Sequence, residues 1–470
     1  MTSIGTLPDD ALLEIFNFHL YGQPQTLTET EKGWQSLVRV CRRWRRIVFG
    51  SPRHLNLELV CTIKTRVRDT LGIWPALPLI ILCQGDYRTG SVDNIIAVFE
   101  HRDRVRQVAL LAVPSSDLEI ILAAMQQPLP ELTNLWILSK DGTVPVVPNS
   151  FLGGSAPLLR HFSLDRIPFP GLLNLLLSAT HLVSLHLDDI PHSGYFSPDT
   201  MVTALSTLTS LNFLWLKFRS PRSCPDPSSR HLPPSTRSVL PVLNSFWFKG
   251  VSEYLEEFVA CIDTPQLECL SINFFNDIVF NIPHFSQFVD RTPMSRALEN
   301  THIVFWHDGA SVNSSFRPSR GRSFEVKILC KAWDSQVSFL EQACTSFLPR
   351  LSTLQDLYIY EYPRQQPDWT DRIENWLWLE LLHPFTAVKN LYLSRKLAPL
   401  IAPALQELVE RRMTEELPVL QNIFFEGLES SGSVQEGIAQ FVAARQGVSH
   451  PMAVSHWANS KEDKIRKSGH

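Results

Sequence analysis

The sequence contains no long hydrophobic run and no closely spaced pair of cysteines. Its longest apolar stretches, LPLIILC and PGLLNLLLSA, are shorter than the roughly 18 residues that cross a membrane. The eight cysteines form no C-x-x-C pair, which predicts reduced thiols rather than a disulfide framework or a zinc site. The opening MTSIGTLPDD lacks the positive charge of a secretory signal. We therefore expect a soluble cytoplasmic or nuclear protein with no membrane partner.

Motifs of known catalytic chemistry are also absent. There is no glycine-rich phosphate loop, no H-E-x-x-H and no G-x-S-x-G. HRDRVRQV, residues 101–108, begins like a kinase catalytic loop, but Val108 stands where the metal-binding Asn belongs. A net charge of −4 gives no general electrostatic reason to bind nucleic acid. These absences predict a protein that is not an enzyme and that has no cofactor, metal site or nucleic-acid partner.

One short pattern recurs along most of the chain: an apolar residue, two others, an apolar residue, one other and an apolar residue. Its copies are Val105/Val108/Leu110, Leu132/Leu135/Ile137, Leu159/Phe162/Leu164, Leu182/Leu185/Leu187, Leu211/Leu214/Leu216, Leu243/Phe246/Phe248, Leu267/Leu270/Ile272, Leu354/Leu357/Ile359, Val388/Leu391/Leu393 and Leu420/Ile423/Phe425. Helical stretches lie between copies, and the gap from 267 to 354 has room for two weaker units around THIVFW and FEVKIL. A short strand and a helix at this period predict an irregular leucine-rich-repeat-like solenoid. A non-repetitive α/β domain is the alternative.

Large side chains occupy the middle position of many copies. Because side chains alternate along a strand, this position faces away from the core when its two neighbours face inward. The residues predicted to bind a substrate there are Trp136, His186, Trp215, Trp247, Tyr358 and Tyr392, and Phe424 occupies the same phase. Exposed aromatic residues are typical of interface hot spots. The alternative is that other segments cover this row and make it a second core.

The first fifty residues have a different pattern. Leu12, Ile15, Phe16 and Leu20 follow a helical rhythm after Asp9 or Asp10, and residues 34–49 predict a second amphipathic helix. GQPQTLTETEKG between them reads as a polar connection. The arginines of RRWRR predict a solvated helix face, with a nuclear signal or a phosphate contact as the alternatives. Helices this short cannot form a stable core alone, so either the rest of the chain or a partner completes their apolar surface.

These N-terminal residues resemble the F-box family in their Leu-Pro start, their Leu/Ile/Phe helix and the segment LVRVCRRWRRI. The insert from Tyr21 to Gly33 is longer than the usual loop. F-boxes dock to the Skp adaptor of cullin–RING ubiquitin ligases, so the resemblance implies that adaptor as partner and a protein substrate held by the repeats. The implied adaptor-binding residues are Leu7, Pro8, Leu12, Ile15, Phe16, Leu37, Val40, Cys41, Trp44 and Ile47.

The sequence thus predicts an α/β protein in which a small all-α F-box precedes an irregular leucine-rich-repeat-like solenoid. The predicted boundaries are an F-box helical domain at 1–60, the solenoid at 61–428, a C-terminal cap at 429–457 and a disordered tail at 458–470. The cap resembles the closing segment of a fungal group of F-box-like proteins. The expected function is substrate recognition in an SCF-type ubiquitin ligase. The alternative is a repeat scaffold without a ligase, whose N-terminal helices pack on its own first repeats.

Overall fold

The computed structural model shows a mixed α/β protein in which parallel strands alternate with helices. Contacts divide the chain into two compact units. Unit 1 is Met1–Tyr195 with Thr207–Leu211, and unit 2 is Phe196–Ser206 with Asn212–His470. The structure describes residues 6–21, 27–84, 91–140, 145–221, 237–275, 282–293, 300–315, 323–347, 351, 354–362, 374–410, 417–426, 438–443 and 452–457.

Unit 1 begins with three helices and continues as strands that alternate with short helices. Its helices are α1 (Asp9–Tyr21), α2 (Leu27–Val40), α3 (Arg42–Gly50), α4 (Val67–Ile73), α5 (Val92–Val98), α6 (Ser115–Ala124) and α7 (Leu172–Ser178). Its strands are β1 (Leu59–Cys61), β2 (Leu79–Cys83), β3 (Val105–Val113), β4 (Asn134–Ser139), β5 (His161–Asp165) and β6 (Ser184–Ile190).

The strands of unit 1 pair in chain order, and every one of these pairs is parallel. Leu135 of β4 pairs with Phe162 of β5, which pairs with Leu185 of β6. All three side chains are buried. The repeated apolar pattern is therefore a continuous core between the sheet and its helices, as expected for a leucine-rich-repeat-like solenoid.

Unit 2 contains the remaining elements. Its helices are α8 (Pro198–Leu205), α9 (Ser252–Ala260), α10 (Pro283–Arg291), α11 (Trp333–Phe347), α12 (Asn375–Leu382) and α13 (Ala398–Glu410). Its strands are β7 (Phe213–Phe218), β8 (Ser238–Val239), β9 (Ser245–Gly250), β10 (Ile262–Asp263), β11 (Cys269–Phe275), β12 (Asn300–Trp306), β13 (Gly309–Ser315), β14 (Ser323–Leu329), β15 (Asp356–Glu361), β16 (Asn390–Leu393), β17 (Asn422–Glu426) and β18 (Ala453–Trp457).

The sheet of unit 2 departs from simple chain order in its centre. Its strands lie in the order β7-β9-β11-β14-β13-β12-β15-β16-β17-β18, and β13 is antiparallel to both of its neighbours. THIVFW and FEVKIL do form strands, β12 and β14, but the chain passes through this region in reverse spatial order. Residues 308–323, DGASVNSSFRPSRGRS, also read as an extended loop in sequence, and this prediction is wrong for 309–315, which is β13.

The second predicted N-terminal helix is interrupted. Cys41 is extended, with φ −158° and ψ 170°, and its Sγ accepts a hydrogen bond from the backbone N–H of Trp44. This side-chain cap begins α3 and ends the run that starts in α2. The single helix predicted over 34–49 is therefore wrong. The predicted polar connection is also shorter than expected, because α2 begins at Leu27.

The sequence of the C-terminal segment predicts a strand, a Ser/Gly turn, an amphipathic helix and a final strand, and the described residues follow this order. Strand β17 is followed by a helical stretch at 438–443 and by β18, which pairs with β17 in parallel. Residues 217–241, rich in Pro, Ser and Arg, also read as an extended loop in sequence, which is wrong for 217–218 at the end of β7 and for 238–239, which form β8. Residues 222–236 lie outside the described residues, as does the predicted tail at 458–470. The domain boundaries at 60 and 428 stay predictions. Within the described part of the chain, no helix has both the length and the apolar character to cross a membrane.

Candidate functional site

Helix α1 is fixed on α3 by a charged contact and an aromatic contact. The Arg43 guanidinium donates to the Asp9 carboxylate at 2.9 Å, and Arg46 lies 3.4 Å from its other oxygen. The hydrogen bond from Arg43 lowers the pKa of Asp9. Below this contact, the rings of Phe16 and Trp44 lie 4.7 Å apart. These contacts determine which face of α1 turns inward.

The predicted adaptor-binding residues separate into inward and outward groups. Leu12, Phe16, Leu37 and Ile47 are buried, so they hold the helices together. Leu7 and Trp44 are half-buried, whereas Pro8, Ile15, Val40 and Cys41 are exposed. The sequence predicts that these ten residues form one docking surface, whereas the structure places only some of them on the outside.

Phe18 is an exposed aromatic residue that the sequence reasoning missed. Its side chain is 77% exposed, beside 43% for Ile15. Pro8, Ala11, Ile15 and Phe18 follow the spacing i, i+3, i+7 and i+10, which places them along one side of α1. We call these four residues the α1 stripe. This spacing is present in the sequence, but Leu12, Phe16 and Leu20 form a more apolar pattern on another side of the same helix, which made the α1 stripe less evident.

A different face of the N-terminal helices packs on the first repeat. Trp34 of α2 is buried, and its indole N–H donates to the carbonyl oxygen of Glu58 at 3.2 Å. Its ring lies 5.2 Å from that of Trp74, which follows α4, and Phe49 joins the same aromatic cluster. The chain therefore completes this face by itself, and Val40 on the end of α2 remains 59% exposed.

In unit 1, the predicted substrate-binding residues face outward on neighbouring strands. Trp136 of β4 is opposite Ser163 of β5, and Ser163 is opposite His186 of β6. Both predicted residues are half-buried. His186 Nε2 also lies 3.7 Å from a carboxylate oxygen of Asp188. The small Ser163 separates the two predicted residues, so they do not form a continuous aromatic row.

In unit 2, the outward aromatic residues form two stacks. Trp215 of β7 and Trp247 of β9 are opposite each other, with ring centroids 5.0 Å apart. The second stack runs across β12, β15, β16 and β17. It contains His302, Tyr358, Tyr392 and Phe424, with successive centroids 4.6, 4.1 and 4.5 Å apart.

The outward positions between the two stacks are polar. They are Ser271 of β11, Glu325 of β14 and Asn313 of β13. Ser271 donates to the Glu325 carboxylate at 3.1 Å. All the outward aromatic side chains of both stacks are half-buried. The row thus has aromatic side chains on both sides of a central polar section, and aromatic residues are enriched in protein-binding surfaces.

Burial changes the acidity of the tyrosines in and beside the second stack. It is the main reason that the pKa values of Tyr358 and Tyr392 are raised. Burial, with the nearby Glu325 carboxylate, raises the pKa of Tyr360 to about 12. These phenols stay protonated and can donate hydrogen bonds throughout the physiological pH range. Among the described residues, no group of three or more His, Cys, Asp or Glu side chains is placed to hold a metal ion.

Comparisons with known proteins identify no family. No family model matches the chain, and no curated protein matches it. One solved structure that is similar is a leucine-rich repeat-containing protein, LegL7, from Legionella pneumophila. It is 12% identical, the match covers 83% of this chain and 98% of that one, and the TM-score is 0.28.

Proposed function

We propose that this chain is the substrate-recognition subunit of an SCF-type ubiquitin ligase. In this proposal, the N-terminal helices dock to a Skp-type adaptor and through it to a cullin–RING ligase. The outward sheet face holds the target protein. The resemblance of the first fifty residues to an F-box supports this function, and the observation that carries it is the exposure of Ile15 and Phe18 in the α1 stripe and of Val40 at the end of α2.

The geometry of the N-terminal helices supports docking rather than simple packing. Trp34 and Phe49 complete the contact with the first repeat, yet Ile15, Phe18 and Val40 stay exposed. Placing large apolar side chains in water is unfavourable by about 25 cal/mol for each Å² of apolar surface. A partner that covers them would recover this free energy.

The proposed mechanism is positional. The adaptor holds the chain at a fixed place in the ligase, and the outward sheet face holds the substrate near the conjugating enzyme. Tethering raises the effective concentration of substrate lysines at that enzyme. The chain itself transfers no ubiquitin and uses no cofactor.

The test is capture of a purified Skp adaptor by the full chain. We expect Phe18→Glu and Val40→Glu to weaken capture by about tenfold or more, since each puts a charge into an apolar contact. Ile120→Glu is the matched control, because Ile120 is also exposed, 51%, but lies in α6. Leu12 is unsuitable for this test, because it is buried and its truncation would destabilise the helices.

A non-ligase scaffold is the second candidate, and the Trp34 contact favours it. That contact shows that the N-terminal helices can serve as the first layer of the repeat. The scaffold requires no adaptor. Failure of the wild-type chain to capture the adaptor, in a preparation with native-like circular dichroism, would favour the scaffold over the ligase subunit.

A further inference from the structure

The last strand of unit 2 has one open edge. Strand β18 pairs with β17, and no strand among the described residues lies on its other side. Ala453, Val454 and Ser455 are all exposed, whereas all three residues of β1, the first strand of unit 1, are buried. Solvent therefore reaches β18 at these three positions, in contrast with β1.

The backbone groups of β18 alternate between its two edges. The N–H of Ala453 donates to the carbonyl oxygen of Gln421, next to β17, at 2.9 Å. Successive residues of a strand direct their N–H and C=O groups to opposite edges, so those of Val454 and His456 point away from β17. Within the described part of the chain, nothing pairs with them. Unpaired N–H and C=O groups at a strand edge are a template for another polypeptide strand, whereas a phosphodiester backbone has no N–H to continue the pairing.

Val454 adds an apolar contact beside this edge. It is opposite Ile423 of β17, which is buried, so Val454 belongs to the row of side chains that faces the core. It is nevertheless 50% exposed, because no described strand follows β18. An apolar side chain in the same phase of a further strand would cover it.

The sequence of β18, AVSHW, lacks the usual features that protect an edge strand. Natural edges carry lysine, proline, an inward charge or a bulge. Strand β18 has no Lys, Arg, Asp, Glu or Pro, and it pairs with β17 through five residues without a shift of register. Its chemistry therefore suits an uncharged strand rather than an acidic or basic one.

The size of the edge favours a short segment over a second copy of this chain. Five strand residues span about 17 Å and a sheet layer is about 10 Å thick, so pairing along β18 buries about 340 Å² over both partners. Stable protein interfaces bury about 1,200 Å² or more. Peptides that add a strand to a sheet edge instead gain their affinity from main-chain hydrogen bonds.

We propose that the outer edge of β18 binds an extended, uncharged segment of a partner protein as one further strand of the sheet. The segment exchanges main-chain hydrogen bonds with Val454 and His456, and one of its apolar side chains packs on Val454. Its side chains in the other phase lie beside Ala453 and Ser455, which are small. This surface goes beyond the proposed function, because it does not involve the helices that dock to the adaptor.

The test is fluorescence anisotropy with the full chain and a labelled seven-residue peptide of alternating Thr and Val. We expect saturable binding that changes little with salt, because no charged groups take part. The control probe is the same peptide with a methyl group on every amide nitrogen. It keeps the side chains but has no N–H to donate, so it should bind at least tenfold more weakly.

Val454→Pro is the decisive variant. It removes the N–H that points away from β17, and proline is tolerated on an edge strand at such a position. We expect it to weaken peptide binding by about tenfold. Val239→Pro is the matched control, because Val239 is 54% exposed on β8 and both of its neighbours, Ser238 and Leu240, donate toward β10. Strand β8 has only two residues, so this variant should bind the peptide like wild type.

Several outcomes would overturn the proposal. They are no binding by the wild-type chain, equal binding of the two peptides, undiminished binding by a folded Val454→Pro variant, or tighter binding of a single-stranded DNA oligonucleotide. Self-association of the wild type that Val454→Pro abolishes, without peptide binding, would assign the edge to a second copy instead.

Two further measurements keep the test decisive. If Val454→Pro does not fold, Val454→Lys replaces it, with an expected loss of severalfold, because lysine on an edge opposes strand addition. Adaptor capture by the same preparations separates the two proposals. Peptide binding without adaptor capture removes only the ligase role, and adaptor capture without peptide binding removes only the strand-binding edge.

Discussion

Asp9 decides which side of α1 faces the solvent. Its contacts with Arg43 and Arg46 tie the first turn of α1 to α3 and, with the Phe16–Trp44 contact, turn the α1 stripe outward. The lowered pKa of Asp9 means that this carboxylate stabilises the folded state above its unfolded pKa. That stabilisation is lost as the pH falls through the folded pKa.

Tyr360 allows a direct test of burial at the second aromatic stack. Its folded pKa is about 12, against an ordinary value of 10.0. Between these values the unfolded chain loses the phenolic proton and the folded chain keeps it, so stability falls as pH rises above about 10. Wild type should therefore lose free energy of unfolding between pH 8 and pH 11. We expect Tyr360→Phe to lose about 1 kcal/mol less over the same pH range, because it has no phenol at this position to titrate.

Urea unfolding at the two pH values measures this difference. Tyr362→Phe is the control, because Tyr362 is exposed and two residues along the chain, and it should follow wild type. A Tyr360→Phe variant with the same pH dependence as wild type would mean that solvent reaches this phenol.

At the level of single residues, the sequence predicts which positions alternate but not how much each is covered. The outward phase of Trp215, Trp247, Tyr358 and Tyr392 follows from period-2 alternation, and the structure places them there. The stacking of His302 on Tyr358 could not be predicted, because it requires β12 to lie beside β15. The exposed state of Phe18 depends equally on a tertiary contact, that of Asp9 with α3.

Among the elements, β12, β13 and β14 deviate most from the repeat. Strand β13 reads as a loop in sequence because it contains Gly, Ala, Ser and Asn rather than large apolar residues. Small polar side chains are nevertheless buried in it, and Ser314 Oγ lies 2.9 Å from Thr301 Oγ1 of β12. Composition alone does not reveal a strand whose neighbours on both sides provide its contacts.

Gly309, at the start of β13, lies where a larger side chain does not fit. A Cβ atom added there would lie 2.2 Å from the carbonyl oxygen of Ile328 on β14, which is backbone and cannot rotate away. We expect Gly309→Ala to lower the free energy of unfolding by about 1–3 kcal/mol, measured by urea unfolding.

Gly72→Ala is the matched substitution for this test. Gly72 lies in α4 with nothing within 4 Å of its added Cβ, and alanine favours helix by about 1 kcal/mol. Its stability should be unchanged or increased. If Gly309→Ala behaved in the same way, the close approach of β13 and β14 would be disproved.

At the scale of the whole molecule, the repeat architecture makes the stability of each repeat depend on the repeats next to it. In unit 1 each strand pairs only with the strands before and after it, so a lost contact affects adjacent repeats first. The periodic leucines were sufficient to predict this arrangement. The boundary between the N-terminal helices and the repeats was harder to predict from sequence. Trp34 and Phe49 join the helices to the first repeat, and these contacts follow no periodic pattern in the sequence.

Leu135→Ala tests this neighbour rule. Leu135 is fully buried in β4, and removing its side chain is expected to cost about 2–5 kcal/mol. Hydrogen exchange with mass spectrometry should show the largest loss of protection in β3, β4 and β5 and a smaller loss in β1. An equal loss across all strands of unit 1 would indicate one cooperative core instead.

The reversed strands of unit 2 change how its two layers match. Packed helices are about 9 Å apart and paired strands about 4.8 Å apart, so a repeat with one helix for each strand bends toward its sheet. Helices α12 and α13 contact each other, as do strands β15 and β16, so one helix accompanies each strand there. From β9 to β15, however, there are five strand steps, about 24 Å. The helices α9, α10, α11 and α12 take three steps over the same stretch, about 27 Å. Because these two lengths nearly match, we expect the sheet to be almost flat between β9 and β15 and more curved at β16 and β17, so that a ligand would lie on a plane at the first place and in a trough at the second.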